Sequence, residues 1–164
     1  MVPMELVGVQ IVAANTPAMM LRESHGEGRL LPILIGSPEA ASIHGVLEGQ
    51  VPPRPLTHDL AVTLLAVLGA TLETVVITEV RDRTFFAELH LRTATGEVVV
   101  SARPSDGIAL AVRTGAAILA AEDVLDAAGQ PAEIDDDEDE DDEELILEEF
   151  RDFLDDLDPD DFAT

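Results

Sequence analysis

Three carboxylates recur along this chain in the same setting: Ser37-Pro38-Glu39, Thr57-His58-Asp59 and Pro104-Ser105-Asp106. Each acid sits beside a small or hydroxyl residue, after an apolar strand or a proline-stiffened loop, and leads into an Ala/Leu/Val-rich helical run. If the three openings meet in space, three carboxylates, the His58 imidazole and several unpaired helix N–H groups share one pocket. That chemistry suits a metal ion or a phosphate. The plain alternative is capping, because acids and hydroxyls in a first helical turn satisfy orphan N–H groups and the helix dipole. Taken singly each opening reads as a cap; their convergence would make a site.

His58-Asp59 is the most chemical pair. A histidine in a first helical turn meets the positive end of the dipole, which lowers its pKa and favours the neutral form, a general base or metal ligand; a surface histidine at a helix start is the structural alternative. Arg103, at a strand end before Asp106, can clamp a phosphate bidentately while helix N–H groups, with Ser105, bind its other oxygens; an Arg–Asp ion pair fixing the corner is the structural alternative. Arg54 and Thr57, at the opening of the preceding helix, offer further phosphate contacts. Ser42 reads as a helix-surface hydroxyl, since no Gly-x-Ser-x-Gly elbow exists. His90 shares a strand face with Glu88, and His25 lies idle in a glycine turn. No phosphate-binding loop, dinucleotide fingerprint, paired-histidine zinc helix or Ca²⁺ loop is present.

The elements that must position these residues are legible from patterning. Met4–Ala13, Ala18–Glu23 and Leu30–Ile35 read as a first meander, with Pro32 requiring an edge or a bulge. Ser37 is expected to cap a helix that stops at Gly49, and Thr57 a helix that runs to about Leu68. Leu72–Val80, Thr84–Arg92 and Glu97–Ala102 read as a second antiparallel meander. In its middle strand Phe85, Ala87, Leu89 and Leu91 alternate with Phe86, Glu88, His90 and Arg92, giving one buried and one polar face. Pro104–Thr114 is a third helix and Ala120–Ala128 a short last one. The expectation is an α+β fold, two antiparallel or mixed meanders packed with three main helices, in residues 1–130.

Residues 131–164 differ in character. Residues 133–164 hold 19 of the 34 acids and one of the nine arginines, and Asp135–Glu144 is an unbroken acidic run. Residues 132–144 are expected to be disordered by self-repulsion. Ile146, Leu147, Phe150, Phe153, Leu154 and Leu157 then recur at helical spacing, so 145–157 reads either as a mobile tail with a transient helix or as an acidic amphipathic helix that binds a protein partner or docks on the chain itself. Lysine, tyrosine, tryptophan and cysteine are all absent. An acidic body without stacking rings argues against passive nucleic-acid binding, although a bound cation would invert the local potential. With no cysteine, no basic leader and no apolar span, cytoplasmic residence without a membrane is expected.

The chain resembles the bifunctional nuclease domain family over roughly residues 4–130. The resemblance is carried by Ala14-Asn15-Thr16-Pro17, Leu31-Pro32-Ile33-Leu34-Ile35-Gly36 with Pro38-Glu39-Ala40, Arg54-Pro55-Leu56-Thr57-His58-Asp59-Leu60, and Ala102-Arg103-Pro104-Ser105-Asp106-Gly107-Ile108-Ala109-Leu110-Ala111. It implies a compact α+β domain, self-associated as a homo-oligomer, that hydrolyses phosphodiester bonds of DNA and RNA. On that resemblance, Glu39, Asp59 and Asp106 are expected to hold Mg²⁺ or Mn²⁺, His58 to activate water, and Arg103 to hold the scissile phosphate. Where the family commonly continues Ser-Asp with alanine this chain has Gly107, which predicts a slightly looser helix start. The rival expectation is a non-catalytic regulatory or protein-interaction module, its helix openings merely structural and its acidic tail recruiting the partner.

Overall fold

A computed structural model describes residues 1–12 and 15–131; the expected tail helix and acidic run lie outside the described residues. Seven strands and four helices follow one another as β1 (Val2–Val12), β2 (Thr16–Glu23), β3 (Leu30–Leu34), α1 (Ser37–Leu47), α2 (Thr57–Val67), β4 (Thr71–Arg81), β5 (Thr84–Thr93), β6 (Gly96–Ala102), α3 (Pro104–Thr114), β7 (Ala117–Ala120) and α4 (Glu122–Ala128). The α+β class and both meanders are as expected. The meanders are not separate layers, however: they form one sheet in the order β3-β2-β1-β7-β4-β5-β6.

The joint is β7, which pairs antiparallel with β1 (Val2↔Ala120 to Met4↔Ile118) and parallel with β4 (Thr74↔Ala117 to Ile77↔Ala120). The sequence reading left 117–119 unassigned and began a helix at Ala120, which the structure corrects. Four residues rich in alanine show neither alternation nor β-branched enrichment, so only their distant partners make them a strand. Pro32 falls, as expected, on an edge strand, where its missing N–H breaks no central ladder.

The β5 alternation also appears: Ala87, Leu89 and Leu91 are buried while Glu88 and His90 are half-buried on the other face. One hydrophobic cluster spans both meanders, including Met19, Leu21, Val75, Ile77, Ile108 and Leu125. Helix α1 packs on β1 and β2, α3 packs on β4 and β5, and α1 and α2 both lean on α3. Gly107 lies where α3 meets the sheet: a Cβ there would stand 2.7 Å from Val75 Cγ1. Glycine at this position also makes room for a close approach of helix to strand.

Helix α2 departs from its neighbours. None of its residues is fully buried, and Leu56, Leu60, Leu64, Val67 and Leu68 are each at least half exposed. Their spacing of three to four residues makes an apolar stripe along the exposed side of α2.

Candidate active site

Glu39, Asp59 and Asp106 occupy the same place in their helices, the third residue of α1, α2 and α3. Neither Ser37 nor Thr57 caps by its side chain; the residues before the helices are Gly36, Leu56 and Arg103. The expected hydroxyl caps are therefore corrected to acids folding back on the turn. Asp59 Oδ2 accepts the Leu56 backbone N–H at 2.8 Å, one half of a capping box. Glu39 bends back likewise, and a Cβ on Gly36 would collide with its Oε2.

Because α1 and α2 both pack on α3, the three openings converge on one network. At one end Arg103 reaches Glu39 Oε1 at 2.9 Å through Nη1. It also forks onto Asp106, with Nε to Oδ2 at 2.7 Å and Nη2 to Oδ1 at 2.9 Å. Asp106 Oδ1 meets His58 Nε2 at 3.2 Å, and His58 Nδ1 meets Ser42 Oγ at 2.8 Å. Ser42 Oγ accepts from Arg113 Nη2 at 3.1 Å, and Arg113 Nε donates to Asp59 Oδ1 at 2.6 Å. Arg113 is further held by the carbonyls of Ala109 and Ser42.

The donor senses follow from chemistry. Arginine can only donate, so Ser42 Oγ accepts from Arg113, which leaves its own proton available for His58 Nδ1. The imidazole then carries its hydrogen on Nε2 and gives it to Asp106. In the tautomer that this set of bonds accommodates, inferred from the network rather than from hydrogen positions, the Nδ1 lone pair faces Ser42.

The carboxylates are held ionised. Arg113 beside Asp59 lowers its pKa, helped by the Leu56 N–H. Burial pushes Asp106 upward, but the bonds from Arg103 and His58 together outweigh it and the net shift is downward. Asp106 and then Glu39 in turn keep Arg103 firmly protonated. The Arg103 side chain is mostly exposed, so its ion pairs contribute little stability. The Arg113 side chain is only 9% exposed, and leaving that charge buried without Asp59 would cost several kcal/mol.

Two hollows flank the network. A cleft of about 480 Å³ is lined by Ile35, Gly36, Arg83, Thr84, Arg103 and Ser105 among others, so it lies at the openings of α1 and α3. A cavity of about 210 Å³ on the other side is lined by Ser42, Gln50, Leu56, Asp59 and Arg113 with the apolar Val46, Val51 and Pro52. The expected residues thus divide. Glu39, His58, Asp59, Arg103 and Asp106 are joined in the network, and Ser105 lines the cleft. Arg54 and Thr57 are exposed and make no contact with the network; like Glu39, His58 and Asp106 they line neither hollow. His90 instead bonds Glu97 within the β5–β6 ladder.

Ser42, Arg83 and Arg113 were not among the expected site residues. Ser42 and Arg113 are brought together from 71 positions apart, with no local signal. Arg83 had one: Asp82 and Arg83 form the β4–β5 turn with φ of 50° and 62°, a conformation that favours glycine or asparagine. Keeping an arginine there is a strained choice.

The expected metal trio does not fit a cation in this arrangement. Both oxygens of Asp59 and both of Asp106 already accept hydrogen bonds, and Glu39 shares Arg103 with Asp106. Among the described residues no group of three or more His, Asp or Glu side chains is poised around one ion. Nor, among them, is any helix long and apolar enough to cross a membrane.

The sequence model of the bifunctional nuclease domain matches residues 19–133, and the chain belongs to that family. It is also 43% identical over 162 residues to the uncharacterized protein MT1877 of Mycobacterium tuberculosis (strain CDC 1551 / Oshkosh), covering 97% of this chain and 96% of the relative. The uncharacterized protein Rv1829 of Mycobacterium tuberculosis (strain ATCC 25618 / H37Rv) matches to the same extent.

Proposed function

We propose that the protein hydrolyses phosphodiester bonds of nucleic acid, with the helix-start network as its catalytic centre. The observation that carries this reading is the hydrogen-bonded chain in which His58 stands between Asp106, on Nε2, and Ser42, on Nδ1, with an arginine at either end. Asp106 does for this imidazole what a buried carboxylate does in hydrolytic triads: it holds the tautomer and steadies the imidazolium once the proton arrives. Arg103 and Arg83 bind backbone phosphate in the larger cleft, where the N–H groups opening α3 add donors. Arg113, on the other side, faces the charge that develops at the reacting oxygen.

A divalent ion would have to displace Arg103 or Arg113 from these carboxylates, so no step is routed through one. The test incubates rigorously purified protein with labelled single- and double-stranded DNA and RNA, in EDTA, Mg²⁺ and Mn²⁺. Cleavage that persists in EDTA and disappears in Arg103→Ala supports the arginine-filled site. Cleavage that requires Mn²⁺ restores the metal reading. No cleavage in any arm leaves the rival, a non-catalytic interaction module.

The apolar stripe of α2 supports self-association, with a second copy covering Leu60, Leu64 and Val67. Leu64→Glu is expected to shift the mass measured by light scattering to that of one chain; a wild type already monomeric would refute this.

A further inference from the structure

We infer that Ser42 is the first nucleophile of this centre and forms a covalent phosphoseryl intermediate, an inference that rests on the phosphodiesterase reading for its substrate. Both His58 ring nitrogens are engaged, Nε2 by Asp106 and Nδ1 by Ser42. The proton nearest to the only lone pair of the base is therefore that of Ser42. Three groups that α1, α2 and α3 each contribute separately line up as hydroxyl, imidazole and carboxylate. This is the order of an activated serine, with the two ring nitrogens exchanged relative to the familiar hydrolase arrangement.

Two further observations distinguish this serine from a hydroxyl that merely steadies the ring. It lines the 210 Å³ cavity, the hollow from which a phosphorus would approach Oγ. Arg113 Nη2 stands 3.1 Å from the same oxygen. A guanidinium donating to Oγ favours the developing alkoxide, and stands within reach of a phosphoryl oxygen once Oγ is bonded to phosphorus.

In the first half-reaction the Oγ–P bond forms and the P–O bond to the leaving sugar oxygen breaks. The Ser42 proton passes to His58 Nδ1 and from there to the departing oxygen. In the second half, water adds to phosphorus, its proton goes to Nδ1, and the serine leaves as the Oγ–P bond breaks and takes that proton back. The net change is addition of one water across the diester.

The test uses diisopropyl fluorophosphate on the full chain, followed by intact mass and peptide mapping. In the trapping reaction the Oγ–P bond forms, P–F breaks, and the proton goes to Nδ1. The expected result is a single adduct on Ser42, at least about tenfold faster than any adduct on the exposed Ser101. The adduct should be absent in Ser42→Ala and slowed in His58→Gln while both keep their melting temperature. Because the chain has no cysteine, Ser42→Cys supplies a second readout that does not require the reagent to fit. Its thiol should react with iodoacetamide about tenfold faster than that of Ser101→Cys at neutral pH, through a raised thiolate fraction. Absence of selective labelling and of thiol activation overturns the inference even if the protein cleaves nucleic acid. Selective labelling without cleavage of any nucleic acid retains the nucleophile and removes the phosphodiester substrate.

Discussion

Arg83→Gly should raise stability and, on the phosphate-binding role proposed for the larger cleft, lower nucleic-acid binding at the same time, because the residue keeps a left-handed backbone while lining that cleft. Its φ of 62° is left-handed, which costs an L-residue with a Cβ about 1–2 kcal/mol. Glycine removes that strain but loses about 0.5–1 kcal/mol to the greater freedom of the unfolded chain. The net expectation is a gain of about 0–1.5 kcal/mol, with the middle of that range worth roughly 2–4 °C in melting temperature for a domain of this size. Calorimetry or far-ultraviolet circular dichroism can read it; intrinsic fluorescence cannot, since tryptophan and tyrosine are absent. On the binding side, one lost phosphate contact should reduce the slope of log affinity against log salt by about 0.7–0.9. A fall in melting temperature would mean that the Arg83 side chain stabilises the turn by more than its backbone costs. An unchanged salt slope would remove Arg83 from the binding surface, and with it half of the cleft's charge.

Gly107→Ala should gain about 1 kcal/mol of helix propensity and lose about 1–3 kcal/mol to overpacking against Val75, for a net loss of up to about 2 kcal/mol in denaturant unfolding. Adding Val75→Ala should cost less than the sum of the two single changes, since it clears the space that the new methyl needs; strict additivity would contradict the contact. Asp59 and Asp106 have folded pKa values below their unfolded ones. Their stabilisation is therefore complete above the unfolded carboxylate pKa of about 4 and is lost as pH falls through the lower folded values. Melting temperature should accordingly hold from neutrality to about pH 5 and drop below about pH 4, less steeply in Arg113→Met, where Asp59 has lost the partner that lowers it.

The strands of both meanders and the three main helices could be read from the sequence because each carries its own signal: alternation in β5, proline and glycine punctuation around α1 and α2, Gly115 after α3. Strand β7 could not, since Ala117–Ala120 is specified only by Val2–Met4 on one side and Thr74–Ile77 on the other. The same division runs through the site. Glu39, Asp59 and Asp106 were legible because an acid in a first helical turn is a local event. Their chemistry was not, because it depends on which cation reaches them, and two arginines do. Arg103 lies three residues from Asp106, whereas Arg113 meets Asp59 only because α2 packs on the far end of α3. Ser42 was read as a surface hydroxyl for the same reason: its importance lies in a histidine sixteen residues away across a helix–helix contact.

The central claim is that His58, held between Asp106 and Ser42, acts as the base in phosphodiester cleavage. It is tested most directly by the single-turnover rate on a labelled oligonucleotide, comparing the wild type with His58→Gln purified side by side. The account predicts a rate lower by about 10²–10⁴ in the variant, the usual contribution of a positioned general base, with its melting temperature and oligonucleotide affinity little changed. Equal rates in the two proteins would contradict it.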